Sequence, residues 1–172
     1  MERVLSKGEG EAALILVLDT SAVIAGFIPG LARAEQVTVS EVLEEAKDLC
    51  LRLELETALI SGSLRVMEPS RHSVERVMEK VRETGDVVSP TDVKLIALAL
   101  DLREKGVEIV TDDYAIQNLA TMFGIPYRRI AMPGIKEVLR WEFACRGCGR
   151  RYPVDLRSCP ECGSGLVRRA KR

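Results

Sequence analysis

The first strongly apolar stretch is Leu14-Ile15-Leu16-Val17-Leu18, five aliphatic residues ended by Asp19. An unbroken apolar run of this length predicts a strand covered on both faces, as in a parallel sheet. Thr20 to Ala25 reads as a helix start, closed by Gly26 and Pro29-Gly30. Gln36-Val37-Thr38-Val39 predicts a short strand. Thr38 with Glu41 three residues on has the capping-box pattern and predicts one long helix from about Glu41 to Leu59, ended by Ser61-Gly62. Leu64 to Glu68 predicts a further strand, at or near an edge. After Pro69-Ser70, Val74, Val77, Met78 and Val81 recur at helical spacing with one wet face. Thr84-Gly85-Asp86 is a turn. Ser89-Pro90-Thr91-Asp92 then reads as N-cap, proline at the first helical position and an acid in the first turn. The helix it opens is apolar nearly all round through Leu95 to Leu100, which predicts deep packing. Val107 to Val110 is a strand ended by Thr111-Asp112-Asp113, a helix runs from about Tyr114 to Met122, and Ile125 to Ile130 is an edge strand because of Pro126.

Strands alternating with helices predict an α/β domain, three layers deep with a mostly parallel sheet. It spans residues 12–131, followed by a linker over 132–140 and a separate small unit over 141–168. Residues 1–11 are polar and read as a frayed terminus. With 172 residues and 47% apolar content, the chain can bury one ordinary core plus an appendage, filled by aliphatics because aromatics are only 4%. No run of eighteen apolar residues exists and the first residues do not resemble a signal peptide, so a cytoplasmic protein without a membrane span is expected. One Asn (Asn118) and two Gln (Gln36, Gln117) beside abundant Arg and Glu hint at a thermophilic source.

The net charge of −1 conceals an asymmetry. Residues 140–172 carry nine Arg or Lys against three Asp or Glu, so an acidic body of about −7 bears a basic tail of about +6. That division suits a body holding cations and a tail meeting a polyanion, or simply a solvated tail.

Four segments deliver acids to places where a parallel sheet can bring them together: Asp19 after one strand, Asp112 and Asp113 after another, Asp92 at a helix start and Glu45 in the long helix. Each also has an ordinary explanation, a helix cap or a solvated charge. Gathered together, carboxylates repel and raise one another's pKa unless a cation compensates, and an oxygen-only set suits Mg²⁺ or Mn²⁺. Such an ion assists in-line displacement at phosphorus. His72 is the only histidine and is expected at the surface, which excludes chemistry needing two imidazoles. Neither phosphate-cradling glycine motif is present. Cys50, without a nearby partner, is expected to be a small buried hydrophobe.

Leu16-Val17-Leu18-Asp19-Thr20-Ser21-Ala22-Val23, the acid-bearing helix, Ser89-Pro90-Thr91-Asp92 and Thr111-Asp112-Asp113-Tyr114 together resemble a PIN-domain nuclease over about residues 12–130. Within that superfamily, Val42 to Asp48, Asp112 to Asn118 and the cysteine module described next are similar to the archaeal Nob-type endonucleases, which trim the 3′ end of small-subunit ribosomal RNA precursors. The resemblance implies metal-dependent hydrolysis of single-stranded RNA. It implies catalytic roles for Asp19, Glu45, Asp92 and Asp112 or Asp113, with Mg²⁺ or Mn²⁺ on Asp19, Asp92 and Asp112. Glu41 and Glu44 compete with Glu45, and the tandem Asp112-Asp113 leaves the fourth position open.

Cys145-x-x-Cys148 and Cys159-x-x-Cys162 are separated by ten residues. Two such turns present four thiolates, which complete a tetrahedral structural Zn²⁺ site with no open position. The turns also resemble rubredoxin knuckles, so iron stays open on ligand type. About thirty residues build little core, so the metal must supply much of this unit's folding energy. Arg146, Arg150, Arg151, Tyr152 and Arg157 are candidate RNA contacts, with Trp141 and Phe143 either stacking on bases or filling the ribbon's core.

These readings converge on an endoribonuclease with an RNA-gripping zinc ribbon, acting on a ribosomal RNA precursor or the small subunit, with room for other assembly factors. A non-catalytic RNA- or ribosome-binding adaptor is the alternative. A stand-alone toxin-type PIN ribonuclease is disfavoured by the ribbon. A phosphatase with an Asp19 nucleophile is disfavoured by Ser21, where such enzymes place a second Asp.

Overall fold

The computed structural model describes residues 14–131 and 138–171. The polar N-terminus and most of the expected linker lie outside the described residues. The elements, in chain order, are β1 (Ile15–Leu18), α1 (Thr20–Ile24), β2 (Glu35–Thr38), α2 (Ser40–Glu45), α3 (Leu49–Ile60), β3 (Leu64–Val66), α4 (Arg71–Thr84), α5 (Pro90–Leu102), β4 (Val107–Val110), α6 (Tyr114–Phe123), β5 (Tyr127–Arg128), β6 (Trp141–Cys145), β7 (Arg151–Tyr152) and β8 (Leu166–Ala170).

β1 is buried at all four positions, as its apolar run requires when both faces of a sheet are covered. The first five strands form a parallel sheet in the order β3-β2-β1-β4-β5, with flanking helices. From β1 the chain moves outward through β2 and β3, then crosses back to lay β4 on the other side of β1. The crevice beyond the carboxyl ends of β1 and β4 is therefore the sheet's switch point, where α/β proteins place their ligands. α5 packs on β1 and β4 and between α4 and α6. It buries Val93, Leu95, Ile96, Ala97, Leu98, Ala99 and Leu102, in keeping with its nearly uniform apolar character. Truncating one of its fully buried leucines, Leu95 or Leu98, to alanine would cost about 2–5 kcal/mol.

The long helix predicted over 41–59 is two helices. The chain leaves α2 at Ala46 (ψ 82°) and restarts at Asp48, whose carboxylate accepts from the Cys50 and Leu51 amides at 2.9 and 3.1 Å. An Asp able to N-cap a new helix outweighed the continuity of the apolar spacing. The predicted capping box at Thr38 does not form either. Thr38 Oγ1 donates instead to the Leu18 carbonyl at 2.8 Å, tying β2 to β1. Cys50 is exposed rather than buried, because the restarted helix turns it outward. His72 is exposed, and β5 is an edge strand, both as expected.

β6, β7 and β8 form a separate antiparallel sheet in the order β7-β6-β8 around the four cysteines. Among the described residues no helix is long and apolar enough to cross a membrane.

Candidate active site and metal centre

Asp19 stands at the N-cap position of α1, yet its side chain makes no capping hydrogen bond. Its carboxylate instead accepts from Ser21 Oγ at 2.5 Å and Thr111 Oγ1 at 2.8 Å. Ser21 Oγ accepts in turn from the Asp112 amide (2.9 Å), and Thr111 Oγ1 from the Asp113 amide (3.0 Å). Two hydroxyls thus tie the end of β1 to the end of β4. Burial, offset in part by these hydroxyls and aggravated by the Asp113 charge, raises the Asp19 pKa.

Asp92 occupies the capping box expected for it. Ser89 Oγ accepts from the Asp92 amide at 3.1 Å, and the Asp92 carboxylate accepts from the Ser89 amide at 2.8 Å. It is more than a cap. Desolvation, with the charges of Asp113 and Asp19, lifts its pKa to about 6. Burial is the main cause, and the charges of Asp113 and Asp19 add to it, so acids from β1, α5 and the β4–α6 turn share one neighbourhood.

The tandem aspartates divide. Both Asp112 oxygens accept backbone amides at 2.9 Å, one from Ile130 and one from Ala131, so this side chain fastens the segment after β5. Asp113 N-caps α6 with Oδ1, accepting from Ala115 and Ile116, and its charge bears on both Asp19 and Asp92. The three candidate glutamates divide likewise. Glu41 pairs with Lys94, Glu44 is exposed beside Arg52 and Glu56, and Glu45 Oε1 accepts from Thr91 Oγ1 at 2.5 Å, next to Asp92. Ser21 and Thr111 were not singled out from the sequence, although the hydroxyls in Asp-Thr-Ser and Thr-Asp-Asp were there to be read.

The acid set fits a hard cation chemically, being all oxygen and partly buried. Among the described residues, however, only the four cysteines form a group of three or more potential ligands within 4.8 Å of one another. No three of the acids bring one oxygen each within 4.8 Å of one another. Mg²⁺ and Mn²⁺ suit such a set, because they bind through few carboxylates and keep several waters.

The cysteine site is contracted. Cys145 and Cys162 Sγ are 3.3 Å apart, and Cys148 and Cys159 Sγ 3.6 Å. A tetrahedral zinc with bonds of about 2.3 Å places its sulfurs about 3.8 Å apart, so four thiolates and a structural zinc fit. The Gly147 and Cys148 amides point at Cys145 Sγ (3.3 and 3.4 Å). Tyr152 OH lies 3.1 Å from Cys159 Sγ and is the main reason that thiol sits at about 6. Of the candidate RNA contacts, Arg150 and Arg151 form exposed ion pairs with Glu161 and Glu142, whereas Arg146 and Arg157 are exposed. Exposed pairs contribute little and can be exchanged for phosphates.

Residues 16–102 match the family profile described as the PIN domain of ribonuclease. Over 161 residues the chain is 41% identical to endoribonuclease Nob1 of Methanothermobacter thermautotrophicus, covering 91% of this chain and 93% of that protein. It is 42% identical over 160 residues to endoribonuclease Nob1 of Archaeoglobus fulgidus, covering 90% and 91%. A ribonuclease VapC1 of Thermoplasma acidophilum is 32% identical over 157 residues, covering 90% of this chain and 78% of its own.

Proposed function

This chain belongs to the Nob1 family of PIN-domain endoribonucleases, and from that premise we propose that it cleaves single-stranded precursor RNA at the 3′ end of the small-subunit ribosomal RNA. The observation that carries the reading is the junction at the switch point of the sheet, where Ser21 and Thr111 bind the buried Asp19 carboxylate and the amides of Asp112 and Asp113.

Asp19, Asp92 and Asp113 are the residues that would hold the divalent cation, with Glu45 of α2 at the rim. A bound Mg²⁺ or Mn²⁺ supplies neutralisation of phosphate charge and a water acidic enough to react near neutral pH. Ser21 and Thr111 keep the Asp19 carboxylate in one orientation, so little reorganisation is needed when RNA arrives. Asp92, with its pKa raised to about 6 by burial, would be held in its ionised form by a bound cation. Water adds at phosphorus and the P–O3′ bond breaks, leaving a 3′-hydroxyl and a 5′-phosphate. Asp112 serves the site indirectly, by fastening the chain after β5.

The domains are a nuclease domain over 12–131 and a zinc ribbon over 141–168, joined by 132–140. Cys145, Cys148, Cys159 and Cys162 hold one structural Zn²⁺. The ribbon contributes phosphate contacts through Arg146, Arg150, Arg151 and Arg157, with Tyr152 shared between RNA and Cys159. The experiment is incubation with Mn²⁺ and a precursor RNA spanning the mature 3′ end, comparing the wild type with Asp92→Asn. Cleavage at that end by the wild type, lost in the variant, is expected. Equal cleavage by both would defeat the reading.

A further inference from the structure

Thr84-Gly85-Asp86, a turn in the sequence pattern, is a socket for the ribbon. Gly85 ends α4 in the left-handed conformation (φ 67°). A Cβ there would meet the Trp141 carbonyl oxygen at 3.0 Å and Trp141 Cβ at 3.3 Å, so two separate demands call for glycine. The Asp86 side chain is only 4% exposed. Its Oδ2 accepts from Thr84 Oγ1 (3.0 Å) and Asn118 Nδ2 (3.1 Å), both in the nuclease unit. Its Oδ1 accepts from Trp141 Nε1 at 2.7 Å and faces an Arg168 nitrogen at 3.5 Å, both in the ribbon.

The neighbours reinforce the join. Arg168 Nε donates to the Gly85 carbonyl at 3.2 Å, and its guanidinium stacks 3.9 Å over the Trp141 ring. Asn118 Nδ2 donates to the Leu139 carbonyl at 2.9 Å, while Asn118 Oδ1 accepts from the Leu139 amide at 2.8 Å. The only Asn and the only Trp of the chain are both spent here. Trp141, left open above between stacking on bases and filling the ribbon's core, faces the nuclease unit instead, and Arg168 does the same.

We propose that Asp86 is a positioning residue that holds the zinc ribbon at one orientation on the nuclease unit, so that the ribbon's grip on RNA sets which phosphodiester reaches the acid pocket. This rests on the nuclease reading above. A buried carboxylate with four donors has strong directional preferences, and losing it strands the indole N–H and the guanidinium. Two RNA-contacting units held rigidly bind one RNA as a single measured surface. Units free to swing lose that geometric advantage and cut less selectively.

The test uses the full zinc-loaded chain, with Asp86→Ala and the conservative Asp86→Asn. Trp141 is the only tryptophan, so its fluorescence reads the join directly without any cleavage. In Asp86→Ala its emission should shift to the red and small-angle scattering should show a larger radius, with thiolate-to-metal content unchanged. Asp86→Asn, which keeps an acceptor for the indole, should recover most of the emission. On precursor RNA, Asp86→Ala should raise KM about tenfold and scatter the mapped cleavage sites. Cleavage of a short unstructured oligonucleotide, which needs only the acid pocket, should stay within about twofold. Unchanged emission and scattering would overturn the anchor. A released ribbon with an unshifted KM and unscattered cleavage sites would overturn its positioning role. A wild type that cleaves no RNA, with emission and scattering as expected, would overturn the nuclease reading alone.

Discussion

The two charged centres of this protein are built in opposite ways. The cysteine site draws all four ligands from residues 145–162, and they stand within 4.8 Å of one another. The acid pocket draws Asp19, Asp92 and Asp113 from across ninety-four residues of sequence, and no three of its acids bring one oxygen each within 4.8 Å of one another. The first is a small module whose fold is the metal's reward. The second is a large hydrophobic fold that holds like charges together and tolerates the repulsion. One should therefore collapse when its ion is removed, and the other should become more stable when its charges are removed.

The largest effect expected is on the ribbon. Chelating its metal, or Cys159→Ser, should remove most of its folding energy, since structural zinc contributes about 10–16 kcal/mol in comparable modules at pH 7. Hydrogen exchange should show β6 and β8 losing protection while β1 and β4 keep theirs. Protection retained in both sheets would erase the contrast.

Next is the chemistry. Asp19→Asn should lower cleavage about a thousandfold, the several kcal/mol that an organised cation site supplies, without lowering Tm. A variant that unfolds instead would make Asp19 a structural acid.

The tandem aspartates sharpen the comparison within the pocket. Asp113→Asn should keep its cap on α6, because Asn caps as well as Asp, yet cut activity strongly. Asp112→Ala should do the reverse, losing about 1 kcal/mol of stability from two stranded amides and little of the chemistry if its fold holds. Assays of kcat and Tm on both variants separate the roles.

The smallest effect is a pH signature. The Asp92 pKa of about 6 lies above that of an unfolded aspartate, so the folded state prefers the protonated form. The stability this contributes is fully present below about pH 4 and is lost as pH rises through 6. Metal-free Asp92→Asn should then exceed the wild type by about 3 °C in Tm at pH 7.5, allowing for solvent screening, and match it at pH 4. A lower Tm for the variant at both pH values would leave the carboxylate a simple cap.

The local chemistry of the chain determined a good deal by itself. The buried strand at Ile15–Leu18, the Ser89-Pro90 helix start, the left-handed ends at Gly85 and Gly124, and the paired cysteine turns all follow from contacts within a few residues. Local signals can also compete. The apolar spacing from Val42 to Ala58 promised one helix, and a single aspartate at 48 broke it in two.

Other assignments were decided only by the tertiary structure. That Asp112 meets the amides of Ile130 and Ala131 while Asp113 caps α6 depends on where a segment eighteen and nineteen residues on arrives. That Thr91 meets Glu45, and that Asp86 gathers Asn118, Trp141 and Arg168, depends on which helix ends the sheet brings side by side. Side-chain hydrogen bonds reach only about 3 Å, so a partner distant in sequence is invisible until the hydrophobic core has set the distances.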